Sequence, residues 1–319
     1  MDKSVEFWSN FVDEYLAKWD RYASVRSHPR KKFSLEGGNA PRYFFPPSKQ
    51  LILLHPLVLA LGEEVKQFIL IQSFYKYSND IEMTETEVVN PMATLIANDR
   101  LPISFDFKTR KIATSILTDE SYHALVASDS TSQVKELSKI EPIALPVQTE
   151  LSIAIKSIKK QMAPAYHLLF ELVAVCIAEN TLTKDLVFMQ NDKEVNTVFQ
   201  SIIKEHLLDE ARHSIYFLHI LKEAWRMMDD GSRFALTEII PTFLSLYLGN
   251  TLQKKFDIKL LGSLNFTKAE AYQIVHDTHD GFQLTKNHPM IKNLLILFDR
   301  AGLLQDDNLQ KRLVAQRLM

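Results

Sequence analysis

Apolar residues recur along most of this chain at intervals of three and four positions, which is the spacing of one face of an α-helix. This pattern predicts four long helices, at residues 63–98, 106–127, 149–182 and 193–229. Only 8 of the 319 residues are glycine, and long helices with few turn residues between them fit such a sequence better than β-sheets do. We therefore expect an all-α fold.

Shorter elements flank the four long helices. The pattern predicts an amphipathic helix over 4–26, a loop over 27–50 and a connection over 128–148, and Pro164 predicts a kink in the third long helix. Further helical segments are predicted before a charged terminal helix, at 232–248, 252–261, 267–281 and 287–304. We expect a single domain over residues 1–319, with a core at about 60–230 and C-terminal helices at about 231–319 packing on it.

Composition and charge argue against several classes of protein. Lys and Arg number 37 against 39 Asp and Glu, whereas a nucleic-acid binder would carry a basic excess. The start of the chain lacks the apolar core of a signal peptide, and the longest apolar run, at 51–61, is too short to span a bilayer. We therefore expect a cytoplasmic protein without nucleic-acid or membrane partners. Cys176 is the single cysteine, so histidines and carboxylates would have to hold any metal.

One stretch of the fourth long helix carries three candidate metal ligands on one face. His206, Glu210 and His213 are offset by four and three residues, so two imidazoles and a carboxylate share one helical stripe among apolar neighbours. Burying these groups without partners would be costly, so they need a metal, hydrogen bonds or each other. The triplet alone equally fits a packed helix with two hydrogen-bonded histidines and a salt-bridged Glu.

The other long helices offer acids and a histidine at comparable positions. Glu85 shares the apolar stripe of the first long helix, and Glu87, which falls off that stripe, is the alternative in register. Glu120 and His123 form an E-x-x-H pair in the second long helix, one turn apart on one face. Glu179 is embedded in the apolar second half of the third long helix. Glu171, eight residues earlier and near the same face, is an alternative there.

The chain order of these groups is Glu, E-x-x-H, Glu, E-x-x-H. In dimetal four-helix bundles two helices give one Glu each, and the other two give a Glu-x-x-His unit. A single E-x-x-H pair arises often by chance, but two such units, each preceded by a helix with a Glu, are a specific signal. Carboxylates and imidazoles without sulfur favour iron, with manganese as the main alternative. His206 is additional to this plan and could bring a third imidazole to the centre.

These residues resemble the ligands of the para-aminobenzoate N-oxygenase (AurF-like) family of diiron oxygenases, and the resemblance extends over roughly residues 60–290. Its most specific piece is the run from His206 through His213 into Ser214-Ile215-Tyr216-Phe217. The resemblance implies a ferritin-like helical fold. It also implies a diiron centre with seven ligands, namely Glu85, Glu120, His123, Glu179, His206, Glu210 and His213.

The activity implied by the resemblance is the O₂-dependent oxidation of a primary amine, either an aryl amine or an amino-acid-like amine. The product would be a hydroxylamine and, on further oxidation, a nitroso or nitro compound, as in secondary-metabolite biosynthesis. The expected partners are the amine, O₂ and an external electron donor, since the chain lacks the Gly-rich phosphate-binding motifs of nucleotide cofactors. A homodimer is expected because such bundles are frequently dimers.

Two other functions are compatible with a dimetal bundle. One is a diiron C–H hydroxylase or desaturase, and the other is a ferritin-like iron-binding or oxidant-scavenging protein. His206 favours the N-oxygenase over the first, and the long chain after the last ligand argues against the second. Tyr77, two turns before Glu85 on the same face, is a candidate for the substrate pocket, although a core aromatic explains it as well.

The residues next to two of the candidate ligands suggest how the histidines are oriented. Asp119 precedes Glu120, and Asp209 precedes Glu210. Either aspartate could orient a ligating histidine from a neighbouring helix. Arg212 could pair with one of the two. A solvated salt bridge explains each of these residues equally well.

Overall fold

The structure is a computed structural model, and it describes residues 14–34, 43–181, 183–279 and 284–319. The start of the predicted helix 4–26 and residues 35–42 of the predicted loop lie outside the described residues. Helices make up most of the described chain. The β pairing within it is an isolated bridge between Tyr43 and Val195, so the all-α prediction is confirmed.

Fifteen helices are described, and short 3₁₀ turns lie at Pro47–Lys49, Leu51–Leu54, Pro164–Tyr166 and Leu303–Gln305. In chain order, the helices are α1 (14–22), α2 (Ser24–Ser27), α3 (Pro56–Leu59), α4 (Glu63–Thr84), α5 (Asn90–Ala97), α6 (Phe107–Ser138), α7 (Glu150–Lys159), α8 (His167–Glu179), α9 (Thr183–Gln190), α10 (Thr197–Met227), α11 (Asp230–Tyr247), α12 (Thr251–Ser263), α13 (Lys268–His279), α14 (Pro289–Ala301) and α15 (Asp307–Ala315).

The central bundle is built from the continuous rod α4–α5 and from α6, α8 and α10. The rod packs along α6, and α10 packs against α8. Residues 169–178 of α8 are all buried except Glu171, which is the pattern of a helix enclosed on nearly every side by its neighbours. C-terminal helices cover this bundle, with α14 against α10 and α11 against α7. None of the described helices is long and apolar enough to cross a membrane.

Two apolar cores lie at the two ends of the bundle. One core surrounds α8, α11 and α14, and the other surrounds Phe74, Tyr75, Phe199 and the α12–α13 pair. Each of the rod α4–α5, α6 and α10 contributes apolar side chains to both cores. Along each of these helices the buried acids and histidines fall between the two contributions. The polar residues therefore form a layer between two apolar cores.

The second and third long helices differ from their predicted bounds. Helix α6 continues to Ser138, so the first half of the predicted connection 128–148 is helical. The reason is that Ala127, Ser130 and Val134 extend the buried face of the helix. The Ser and Thr residues that suggested a loop are accommodated by the helix, as when the Ser132 hydroxyl donates to the carbonyl of Ser128.

The third long helix is divided rather than kinked. Helix α7 ends at Lys159, a 3₁₀ turn begins at Pro164, and α8 starts at His167. Proline lacks the N–H that a continuous helix would need at that point. Helix α9, after the end of α8, was not predicted.

Candidate metal centre

The rod α4–α5 changes its winding where it presents its acid to the centre. A π-helical segment, Glu85–Val89, joins the two helices, and its wider turn also accommodates Pro91, which cannot donate to the carbonyl of Glu87. Glu85 is 3 % exposed, whereas Glu87 faces solvent. Glu85 and Glu87 were the two candidates for the ligand from this helix, and of these the structure buries Glu85.

Helix α8 ends at the centre. Glu179 is its last residue and is 1 % exposed. Glu171, the alternative in the same helix, is half-buried and forms an ion pair with Lys159 of α7. The structure thus places Glu179 in the polar layer and Glu171 outside it.

Helices α6 and α10 present the same sequence pattern, D-E-x-x-H, to each other. On α6 the pattern is Asp119-Glu120-x-x-His123, and on α10 it is Asp209-Glu210-x-x-His213. The i,i+3 spacing puts each Glu and its His on one helical face. All six of these side chains are buried.

The candidate ligands form two groups that share one carboxylate. Glu120, Glu179, Glu210 and His213 offer ligand atoms that all lie within 4.8 Å of one another, and His123, His206 and Glu210 form a second group by the same measure. Glu210 belongs to both, so it lies between two potential metal positions. The structure therefore assembles six of the seven predicted ligands in a two-centre arrangement.

Glu85 stands beside these groups. Burial raises the pKa of its carboxyl well above the ordinary value, and the negative charges of Glu120, Glu179 and Glu210 add to that effect. The carboxyl of Glu85 is buried in the polar layer, as are those of the other three. All seven predicted ligands thus fall in one buried layer.

Unpartnered polar atoms show what this layer could hold. Within the described part of the chain, one carboxylate oxygen of each of Glu85, Glu120, Glu179 and Glu210 is buried without a hydrogen-bond partner. Nδ1 of His213 is likewise without a hydrogen bond, although it lies 2.7 Å from Oε1 of Glu120. Buried polar atoms are almost always satisfied, and several acceptors that converge without donors fit a bound cation.

The donor set also fits a particular kind of metal. It contains carboxylates and imidazoles and has no thiolate, because Cys176 is buried in an apolar core. Such a set suits hard or borderline divalent ions with octahedral preferences, such as iron and manganese. The residues present therefore fit a centre of two such ions.

The two aspartates hold the histidines in a crossed arrangement. Nε2 of His123 lies 3.1 Å from Oδ2 of Asp209, and Nε2 of His213 lies 3.1 Å from Oδ2 of Asp119. Each aspartate thus contacts a histidine of the neighbouring helix, which is one of the two arrangements that the sequence left open. An aspartate that accepts from Nε2–H leaves Nδ1 as the nitrogen available to a metal. The guanidinium of Arg212 forms an ion pair with Asp209 and lies 3.7 Å from Asp119.

The carboxylates change the protonation of the histidines. Burial disfavours the charged imidazole of His123. The neighbouring Glu120, Asp209 and Glu210 outweigh that effect and raise its pKa to about 10. Burial also disfavours the charge of Asp209, but the hydrogen bond and the charge of His123 lower its pKa below the ordinary range. In the metal-free protein the imidazole of His123 therefore carries a proton that a bound metal ion would replace.

His206 differs from the other two histidines in its orientation. Its Nε2 lies 3.2 Å from Oε1 of Glu210, and its ring centroid lies 4.2 Å from that of His123. The residue is 9 % exposed, because it stands between the polar layer and a cavity. It would thus offer Nε2 to a metal, where His123 and His213 would offer Nδ1.

A cavity of about 310 Å³ opens beside His123 and His206. Its inner wall is mainly aromatic and aliphatic, with side chains from α4 and α10 that include Phe74, Tyr77, Ile81, Phe199 and Ile203. The volume lies at the lower end of the range for small-molecule sites. Tyr77, the residue predicted for a pocket, lines this cavity and also packs on Phe45 and Phe199.

The N-terminal segment, residues 14–34, contributes to the site, and sequence reasoning missed this. Its residues Ser24, His28, Arg30 and Lys31 line the cavity. The indole of Trp19 donates to Asp119. Spacing along a helix gives no signal for contacts with residues that lie 100 positions away.

Two comparisons with known proteins bear on this site. The family model described as p-aminobenzoate N-oxygenase AurF matches residues 35–273, a range that includes all seven candidate ligands. The 4-aminobenzoate N-oxygenase of Streptomyces thioluteus is 25 % identical to this chain over 197 residues, which are 60 % of this chain and 58 % of that protein. The chain thus matches less than two thirds of the length of that relative.

Proposed function

Because the chain belongs to the p-aminobenzoate N-oxygenase (AurF) family, we propose that it is a diiron oxygenase that transfers oxygen to the nitrogen of a primary amine. Family membership agrees with the resemblance of the candidate ligands and with the ferritin-like, all-α fold. The geometry of the site and the named activity of the relative support the activity proposed here.

The metal centre of this proposal uses the residues of the polar layer. Iron would supply the redox chemistry that reduces O₂ and delivers an oxygen atom to nitrogen. Glu120, Glu179, Glu210 and His213 would hold one ion, and His123, His206 and Glu210 the other, with Glu85 completing the layer. Manganese has the same ligand preferences and is the alternative metal.

The protein's own groups would orient the centre and exclude water from it. Asp119 and Asp209 fix the rings of the two histidines, and the apolar cores above and below the polar layer close it to solvent. An amine in the cavity would meet the edge formed by His123 and His206. Water excluded from this edge could not compete with the amine.

The reaction needs electrons from outside the protein. Conversion of an amine to a hydroxylamine consumes one O₂, two electrons and two protons, and it yields the hydroxylamine and one water. Neither the amine nor O₂ supplies those electrons, so an external donor is part of the proposal. Further turnovers of the same kind would carry the product to nitroso and nitro compounds.

The cavity favours a small, flat substrate. Its walls are aromatic, and its volume of about 310 Å³ accommodates a single substituted ring. The relative from Streptomyces is named for 4-aminobenzoate, which makes an aryl amine the first candidate for this chain. An amino-acid-like aliphatic amine is the second candidate.

The cavity that ends at His123 and His206 carries the proposal, because it brings an organic molecule to the centre. To test it, the protein is loaded with Fe²⁺ and given ¹⁸O₂, reductant and a panel of amines headed by 4-aminobenzoate. We expect mass spectrometry to find ¹⁸O on the amine nitrogen. Oxygen on carbon would instead indicate a C–H hydroxylase. Equal O₂ consumption with and without amines would indicate an iron-binding or scavenging protein.

His206 decides whether the centre has a third imidazole. We expect His206→Ala to bind less iron per chain and to form less N-oxygenated product. Two irons bound with unchanged affinity would remove His206 from the ligands. We also infer a homodimer, which is supported by the exposed apolar side chains of Leu54, Leu57, Leu59 and Leu61 and can be tested by light scattering.

A further inference from the structure

The N-terminal segment lies outside the family match, which starts at residue 35, and it reaches both halves of the polar layer. We propose that this segment is a positioning element of the metal centre. It would act through the indole of Trp19 on Asp119 and through the backbone amide of Ser24 on Asp209. This inference rests on the proposed dimetal function.

The first contact joins α1 to the histidine of α10 through one carboxylate. Nε1 of Trp19 donates to Oδ1 of Asp119 at 2.8 Å, and the other oxygen of Asp119 faces Nε2 of His213 at 3.1 Å. The indole is a donor only, so it can satisfy one oxygen and leave the second for His213. Asp119 is fully buried, and its rotation would break one of these two bonds.

The second contact joins α2 to the histidine of α6. The N–H of Ser24 lies 3.4 Å from both carboxylate oxygens of Asp209, which in turn faces Nε2 of His123 at 3.1 Å. Ser24 is the first residue of α2, where an amide has no carbonyl partner within the helix. The start of α2 therefore supplies a donor to the aspartate that orients His123.

The segment is fixed to the helices that carry the ligands. Nε of Arg30 donates to Asp129 of α6 at 2.8 Å, and the Lys31 ammonium lies 2.5 Å from Glu205 of α10. The amide of Phe33 donates to the Gln133 side chain of α6 at 2.9 Å. The residues of the first two contacts also line the cavity. The same segment thus forms part of the cavity wall and contacts both orienting aspartates.

The expected change in metal affinity depends on how many hydrogen bonds separate these donors from the metal ligands. Removing a group that directly orients a metal ligand lowers metal affinity by about 10- to 100-fold. Trp19 and the Ser24 amide act one hydrogen bond further out. We therefore expect each to change metal affinity by roughly 3- to 10-fold, and to alter the ligand field because the histidine rings reorient.

Two substitutions remove the two donors with little other change. Trp19→Phe removes the indole N–H and keeps an aromatic ring. Ser24→Pro removes the amide N–H at the first position of a helix, where proline is favoured, and Ala23 already has the extended backbone that precedes proline well. Ser24→Ala is the conservative variant, because it retains the amide. Trp225→Phe, which alters a buried indole in the apolar core, controls for loss of a tryptophan.

The experiment titrates the metal-free, full-length variants with Co²⁺ and follows the visible absorption bands, while thermal melting of the metal-free proteins measures folding. We expect Trp19→Phe and Ser24→Pro to bind Co²⁺ 3- to 10-fold more weakly, with shifted bands. Ser24→Ala and Trp225→Phe should match the wild type. Trp19→Phe acts on Asp119, whereas Ser24→Pro acts on Asp209. If one of these variants does not fold, the other still tests the proposal.

Two results would overturn different claims. Lower melting temperatures with unchanged cobalt affinity and unchanged bands would show that the segment only stabilises the fold, and the positioning role would be rejected. A wild-type protein that binds no cobalt, or only one ion per chain, would instead reject the dimetal centre on which the proposal rests.

Discussion

Nε2 of His123 lies 3.1 Å from Oδ2 of Asp209, so the histidine of one D-E-x-x-H sequence is held by the aspartate of the other. The reciprocal contact, from His213 to Asp119, has the same length. Each aspartate sits next to a glutamate of its own helix and orients a histidine of the partner helix. The two helices are thereby linked through the candidate ligands, and a relative movement of α6 and α10 would disturb both proposed metal positions.

Replacing one of these aspartates should weaken metal binding without unfolding the protein. We expect Asp209→Asn to lower metal affinity by about 10- to 100-fold, because a neutral amide no longer stabilises the donor nitrogen of His123. The affinity can be measured by titration against a coloured chelator. Asp230→Asn, whose side chain is 97 % exposed, provides the control. Equal affinities for these two variants would contradict an orienting role for Asp209.

Glu85 and Glu87 provide a matched pair of substitutions two residues apart. Glu85→Gln should reduce the metal bound per chain, since it removes a buried carboxylate of the polar layer. Glu87→Gln should bind metal as the wild type does, because Glu87 faces solvent. Metal content after dialysis separates the two variants. Equal loss in both would show that the π-helical segment does not select Glu85.

The same pair should respond differently in the metal-free state. Burial and neighbouring carboxylates raise the pKa of Glu85 well above its ordinary value of 4.5. A carboxyl whose pKa is raised by folding destabilises the folded state at pH values above its unfolded pKa. Glu85→Gln should therefore increase the free energy of unfolding of the metal-free protein at pH 7, as measured in urea. A decrease would mean that Glu85 stabilises the fold.

Local spacing was sufficient to predict which residues share the buried face of α6 and of α10. Residues three and four positions apart share a helical face whatever the rest of the chain does, so Glu120 with His123 and Glu210 with His213 could be paired from the sequence. The end of α6 could not be predicted from the sequence, because Ser and Thr residues suit both helix surfaces and loops. Here the burial of Ser130 and Val134 decides in favour of the helix.

Contacts between distant parts of the chain were not predictable. The bond from Trp19 to Asp119 spans 100 positions, and a tryptophan on the apolar face of a helix equally fits the core. The π-helical turn at Glu85 was also missed. It accommodates Pro91 within the rod α4–α5, and this fit depends on the packing that keeps α4 and α5 in line. Tertiary structure sets both features.

Narrowing the cavity should block the substrate and leave the metal in place. Ser130 of α6 is 5 % exposed and lines the cavity, whereas Ser132 of the same helix faces solvent. We expect Ser130→Phe to raise the KM for the amine that the protein oxidises at least tenfold while metal content stays unchanged, because the ring occupies part of a small volume. Ser132→Phe should behave as the wild type. An unchanged KM for Ser130→Phe would place the substrate elsewhere.

Metal binding should release protons, and its affinity should rise with pH. The carboxylates around His123 raise its pKa to about 10, so at neutral pH the imidazole carries a proton that a metal must displace. Below pH 10, each proton displaced makes affinity increase by up to about tenfold per pH unit, and the increase should end only above that pH. Burial likewise raises the pKa of Glu179, which adds to the release.

Titration calorimetry with Mn²⁺ between pH 6 and 8, in two buffers of different ionisation enthalpy, counts the protons released. We expect at least one proton per metal ion in the wild type. Asp209→Asn should release fewer, because Asp209 is one of the groups that raise the pKa of His123. A pH-independent affinity in the wild type would mean that the histidines are neutral before the metal arrives. The carboxylates would then not keep the neighbouring histidines protonated at neutral pH.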